Sequence, residues 1–96
     1  MEAHLPQGIT RFKDDDDGFL AWLAQNPDGY VINTERNPKP SYLVLHFPSC
    51  RHFKSSNALH WTKDYIKFCS SERTALEVWA ASAVGGEVKL CRSCFG

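Results

Sequence analysis

Two short stretches of this chain carry side chains that can hold a metal. His46-Phe47-Pro48-Ser49-Cys50 pairs an imidazole with a thiol, and Cys91-Arg92-Ser93-Cys94 pairs two thiols. A thiolate pair two residues apart can chelate one ion from a single tight turn, and a His/Cys pair from elsewhere completes a tetrahedron. The expected group is a structural Zn2+ held by His46, Cys50, Cys91 and Cys94. Four protein ligands leave no open coordination position, so the expected role is scaffolding, not catalysis. The imidazole is the least determined ligand by spacing alone, and His52 and His60 stand as alternatives to His46. Cys69 is a further soft donor, but it sits in an apolar segment and reads as a buried free thiol.

These donors need elements to position them. Asp14, Asp15, Asp16 and Asp17 read as a helix start, because carboxylates favour the positive end of a helix dipole and can cap its free N–H groups. Consecutive residues on a helix point in different directions, which argues against a shared divalent-metal patch. Phe19, Leu20, Trp22 and Leu23 follow at helical spacing, and Asn26-Pro27-Asp28-Gly29 stops the helix. Residues 30–33 and 42–46 read as strands of an antiparallel hairpin, joined by a wide turn around Pro38 and Pro40. Residues 47–62 read as an irregular loop and residues 65–69 as a third strand. Ser70 and Ser71 then cap a second helix with Leu76, Trp79, Ala80 and Ala83 on its buried face, ended by Gly85-Gly86. Residues 87–90 are a short strand candidate before the cysteine pair.

The expected class is therefore α+β, a small three-stranded antiparallel sheet with two helices, stapled by a structural zinc site. Residues 1–13 read as a flexible arm and 14–96 as one zinc-binding domain. A chain of 96 residues buries a modest core, so a metal staple contributes much of its stability. The start of the chain has no basic segment followed by an apolar run, and no apolar run is long enough to span a bilayer. A cytoplasmic, reducing setting is the expectation, and it favours metal ligation over disulfides. No membrane contact is expected.

Together, several stretches resemble a known family. They are Asp17-Gly18-Phe19-Leu20-Ala21-Trp22-Leu23, Asn26-Pro27-Asp28-Gly29-Tyr30-Val31-Ile32-Asn33, Pro40-Ser41-Tyr42-Leu43-Val44-Leu45-His46, Thr62-Lys63-Asp64-Tyr65-Ile66-Lys67 and the Cys91/Cys94 pair. Over residues 15–94 the chain resembles the small zinc-binding N-terminal module of bacterial McrA-like HNH restriction endonucleases and related defence proteins. The resemblance implies an accessory module that contacts DNA, including modified DNA, while another domain or partner does the chemistry. It differs in having Phe47 after the strand histidine, where a basic residue is usual.

Nothing in the chain itself assembles a catalytic set. There is no Gly-rich phosphate loop, nucleophile elbow or His-Glu-x2-His helix. A zinc deaminase would need a Glu beside its first ligand and Pro before Cys91, where this chain has Leu90. A non-enzymatic role is expected. Net charge is zero, yet residues 33–68 hold six basic side chains (Arg36, Lys39, Arg51, Lys54, Lys63, Lys67) against two acidic ones (Glu35, Asp64). A locally positive segment with aromatics can contact phosphates and stack on a base. The candidate DNA-contacting residues are Arg36, Lys39, Arg51, His52, Lys54, Trp61 and Lys63. The rival expectation is a zinc-stabilised adaptor that docks a nuclease partner. Sequence alone leaves the oligomeric state and the DNA preference open.

Overall fold

The computed structural model describes residues 8–53 and 61–95. Its centre is strand β2 (Tyr30–Glu35), paired antiparallel on one side with β3 (Leu43–His46) and on the other with β4 (Tyr65–Ser70). These are the three strands whose β-branched and aromatic content marks them in the sequence. Two more extend the sheet. β1 (Thr10–Phe12) runs antiparallel to β4, and β5 (Lys89–Leu90) runs parallel to β3. The sheet is thus five-stranded and mixed, in the order β1-β4-β2-β3-β5, not three-stranded and antiparallel. Residues 10–12, expected in a loose arm, are the edge strand. Phe12 explains this, since it buries its ring against Phe19, with centroids 5.9 Å apart.

Helix α1 (Asp16–Gln25) begins where the aspartates predict, and each of the first three does something different. Asp15 is the N-cap, its Oδ1 accepting from the Gly18 N–H at 2.9 Å. Asp14 takes a left-handed backbone (φ 54°) and pairs with Arg36. Asp16 accepts from the Thr62 hydroxyl at 2.7 Å, and from the backbone N–H groups of Thr62 at 2.8 Å and Trp61 at 3.1 Å.

Helix α2 (Arg73–Trp79) lies on the opposite face of the sheet. Its N-cap position is Glu72, and Ser70 instead accepts the Glu72 N–H at 3.0 Å from the end of β4. The helix widens into a π turn over Ala80–Val84, closed by Gly85 in the left-handed conformation (φ 85°). The extra residue of the wide turn shifts the helical phase. Ala83, expected on the buried face, is therefore exposed, and Val84 packs on the core instead.

Two cores result. On the α2 side, Ile32, Leu43, Leu45, Ile66 and Phe68 meet Leu76, Trp79 and Ala80. On the α1 side, Phe12, Phe19, Val31, Phe53 and Cys69 surround Cys50 and Cys91. The metal-ligand candidates are therefore part of the second core, not appended to it. Among the described residues no helix is long and apolar enough to cross a membrane.

Candidate metal centre

Strand β3 ends at His46, on the α1 side of the sheet, opposite Val31 of β2. The chain then turns tightly, with the Cys50 N–H donating to the Phe47 carbonyl at 3.0 Å, and enters a 3-10 turn over Arg51–Phe53. His46 and Cys50 are thus placed by a strand end and the turn that follows it. From the other direction, the Cys91 N–H extends the β5–β3 pairing by donating to the Leu45 carbonyl at 2.9 Å. A short helix, α3 (Arg92–Phe95), then brings Cys94 round beside Cys91. The parallel pairing of β5 with β3 is what unites the two ligand pairs.

The side-chain atoms converge. One ligand atom from each of His46, Cys50, Cys91 and Cys94 lies within 4.8 Å of all the others. His46 Nδ1 is 3.4 Å from Cys50 Sγ, and Cys50 Sγ is 3.9 Å from Cys91 Sγ. A tetrahedral ion with bonds to sulfur of about 2.3 Å has S···S edges of about 3.8 Å, so these spacings match. All four cysteines are free, and 3.9 Å is far beyond a disulfide bond.

The protonation chemistry suits a metal. Burial, helped by charge on His52 and Lys67, pushes His46 down to about 4, leaving the neutral imidazole a ligand must be. Burial pushes the Cys50 thiol up to about 12, against a pull downward from the His52 backbone N–H. Cys94 is also raised by burial, although the Phe47 N–H donates to its sulfur at 3.3 Å. Cys91 is buried too, but the Ser93 and Cys94 N–H groups and the Cys50 thiol outweigh that and lower it. Three thiols in this volume cannot all ionise unless a cation takes up their charge. The donor set therefore fits a soft or borderline divalent ion held by His46, Cys50, Cys91 and Cys94.

Aromatic packing braces the cluster from outside. Phe47 stacks on Phe95 and touches Tyr30, with centroids 4.1 and 5.8 Å apart, and the Arg73 guanidinium sits 5.7 Å from the Phe95 ring. His52 lies at the rim, its Nδ1 3.6 Å from Cys50 Sγ and 3.8 Å from Cys91 Sγ. It faces the thiols as a potential hydrogen-bond donor, while His46 occupies the buried position. His60 lies outside the described residues. Cys69 is buried in β4, its thiol pushed up by burial, and is not one of the four converging donors.

No family model, curated protein or solved structure matches this chain.

Among the described residues, the candidate DNA-contacting side chains are held in different ways. Arg36 grips Asp14 through both oxygens, at 2.9 and 2.8 Å, and also donates to the Lys63 carbonyl. That grip holds the Asp14 carboxyl below its ordinary value. Lys39 lies 3.7 Å from Glu35. Arg51 and Lys63 are exposed, Trp61 is half-buried, and Lys54 lies outside the described residues. Lys67, counted as basic but not among the DNA candidates, lines one cleft with Lys89, Arg92, Asn33 and the candidates His52 and Trp61. Strand alternation was the available signal: Tyr65, Lys67 and Cys69 must share a face, and so must Asn33 and Val31.

Proposed function

We propose that this chain is a non-catalytic zinc-binding module that contacts DNA, including modified DNA, within a bacterial restriction, defence or DNA-processing system. The observation that carries the zinc role is the closed set of one buried imidazole and three thiols, which offers four ligands and no open position for a reacting water. The ion joins the end of β3 to the C-terminal turn and so holds both the Arg51–Phe53 segment and Arg92 in place. The resemblance to McrA-like modules supports DNA as the partner. Exposed Arg51, Lys63, Lys89 and Arg92 supply cations for phosphate contact.

A second reading has its own observation. Leu20, Leu23, Ala24, Pro27, Pro48 and Phe53 line an apolar groove of about 380 Å³ beside α1. Such a groove suits an adaptor that docks a nuclease domain or partner.

Metal analysis of protein purified without added metal tests the first element, with about one zinc per chain expected. Fluorescence polarisation with labelled single-stranded, duplex and cytosine-methylated DNA at low and moderate salt tests the second. Phosphate contact requires affinity to fall steeply with salt. Salt-independent binding, or none, removes DNA and leaves the adaptor.

A further inference from the structure

Beyond α1, the same face of the sheet opens into a cleft of about 610 Å³, within the roughly 300–1,000 Å³ range of small-molecule sites. Strand register builds its floor. Lys67, Asn33, Val44 and Lys89 stand side by side on β4, β2, β3 and β5 in one cross-strand row. The metal centre borders one end of the cleft through His46 and Cys91. Tyr42 and Tyr65 border it too, their rings 5.4 Å apart and inclined by 44°, with Tyr65 45% exposed.

The polar groups on this floor are already oriented. Lys67 is only 4% exposed, and its ammonium donates to two neutral acceptors, Asn33 Oδ1 at 2.7 Å and the Trp61 carbonyl. Asn33 Nδ2 in turn donates to the Tyr42 hydroxyl at 3.2 Å. This chain fixes the Asn33 amide plane and leaves one of its two N–H groups for a ligand. Trp61, also lining the cleft, keeps a buried indole N–H with no partner among the described residues. Lys67, Lys89 and Arg92 bring three cations to the lining, against the single carboxylate of Asp64 among the described residues.

A buried cation, an oriented amide and the exposed ring of Tyr65 select a ligand that is planar, able to hydrogen-bond at its edge, and anionic. We propose that the cleft takes one nucleotide unit. The base lies over Val44 and against Tyr65 with its edge at Asn33, and the phosphate meets Lys89 and Arg92. Asn33 and Lys89 are two strand spacings apart, roughly 10 Å, the scale of a nucleotide from base edge to phosphate. The proposal deepens the DNA-contact reading and rests on it. The nucleotide belongs either to a DNA strand, as an unpaired or extruded residue, or to a free mononucleotide.

The test uses the full chain as purified with its metal. It is titrated with a fluorescein-labelled single-stranded 12-mer, the matching duplex and each of the four deoxynucleoside monophosphates. Polarisation follows the oligonucleotides, and intrinsic tryptophan fluorescence follows the monophosphates. Tyr65→Ala and Lys89→Ala change exposed side chains, and metal content and Tm check their folding. Lys13→Ala, exposed and outside the cleft, controls for general charge loss.

Single-strand affinity above that of the duplex, weakened about tenfold or more by Tyr65→Ala and by Lys89→Ala but not by Lys13→Ala, supports the cleft and a strand as the source. Monophosphate binding that needs Tyr65, without salt-sensitive binding of either oligonucleotide, supports the cleft with a free nucleotide and overturns the DNA reading. Salt-sensitive DNA binding that neither Tyr65→Ala nor Lys89→Ala changes overturns the cleft and leaves the DNA reading standing. Absence of binding in every arm overturns both.

Discussion

The rings of Phe47 and Phe95 stack with centroids 4.1 Å apart and planes inclined by 21°. One ring follows His46 and the other follows Cys94, so the stack clamps the two candidate ligand pairs together. Phe47 also donates its backbone N–H to Cys94 Sγ. Groups that position ligands in this way change metal affinity by roughly 10–100-fold when removed. Phe95→Ala is therefore expected to keep one metal per chain at saturation but to weaken affinity by about tenfold. Competition with a chromophoric chelator measures this, and an unchanged affinity would show that the stack is incidental.

Metal removal is expected to act on one side of the molecule first. Cys50 and Cys91 belong to the α1-side core, whereas the core under α2 contains none of the four ligands. Binding free energy of a structural ion is folding free energy. A strong chelator should lower Tm by at least about 10 °C, the shift of a few kcal/mol in a domain this small. Amide exchange should rise first at β5 and α3. Cys94→Ser should reproduce the loss, while Cys69→Ala, outside the converging set, should leave metal content unchanged.

The sequence made the central hairpin, β4, both long helices and the four converging His and Cys donors readable, because each rests on local chemistry: alternation, caps, turn residues and chelating pairs. What it hid was non-local. β1 has three residues, too short to carry a periodic pattern, and exists only because β4 offers an edge. Residues 87–90 read as a strand candidate, but the parallel pairing of β5 with β3 depends on the fold. The exposure of Ala83 depends on the π turn, which no residue type announces. Arg36 counted as a free cation until folding brought Asp14 to it from twenty-two positions away. Lys67 counted as one more basic residue, although its neighbours at 66 and 68 mark it as facing the other side of a central strand.

Thr62 is an expected stability determinant. It is fully buried, its hydroxyl donates to Asp16 at 2.7 Å, and the same oxygen accepts the Asp15 N–H at 2.7 Å. Thr62 therefore fixes the start of α1 to the chain leading into β4. Thr62→Val keeps the shape but takes away the acceptor of the Asp15 N–H and one of the donors to Asp16, which keeps the Thr62 and Trp61 N–H groups, a cost of about 1–3 kcal/mol. Urea unfolding should record that loss, with Thr62→Ser recovering most of it. Equal stability of the Val and Ser variants would mean that shape alone matters here.

Lys67 gives the fold a pH dependence of definite sign. Burial pulls its amine from 10.5 down to about 8, while charge on Cys69 and Asp16 works in the opposite direction. Between pH about 8 and 10.5 the unfolded chain holds a proton that the folded chain has released. Raising the pH across that window therefore favours folding, and below about 8 the cost of the buried ammonium is fully present. The shift corresponds to an effect on the order of 3 kcal/mol at most. Lys67→Met removes the titrating group. It also takes a donor from Asn33 Oδ1 and the Trp61 carbonyl, but that loss does not vary with pH. Unfolding free energies of the wild type and Lys67→Met at pH 7.5 and 9.5 separate the two effects. The difference between the proteins should shift in favour of the wild type at the higher pH, because only the wild type sheds a buried charge. Parallel pH profiles would show that Lys67 is solvated in solution and that the floor of the cleft is open to water.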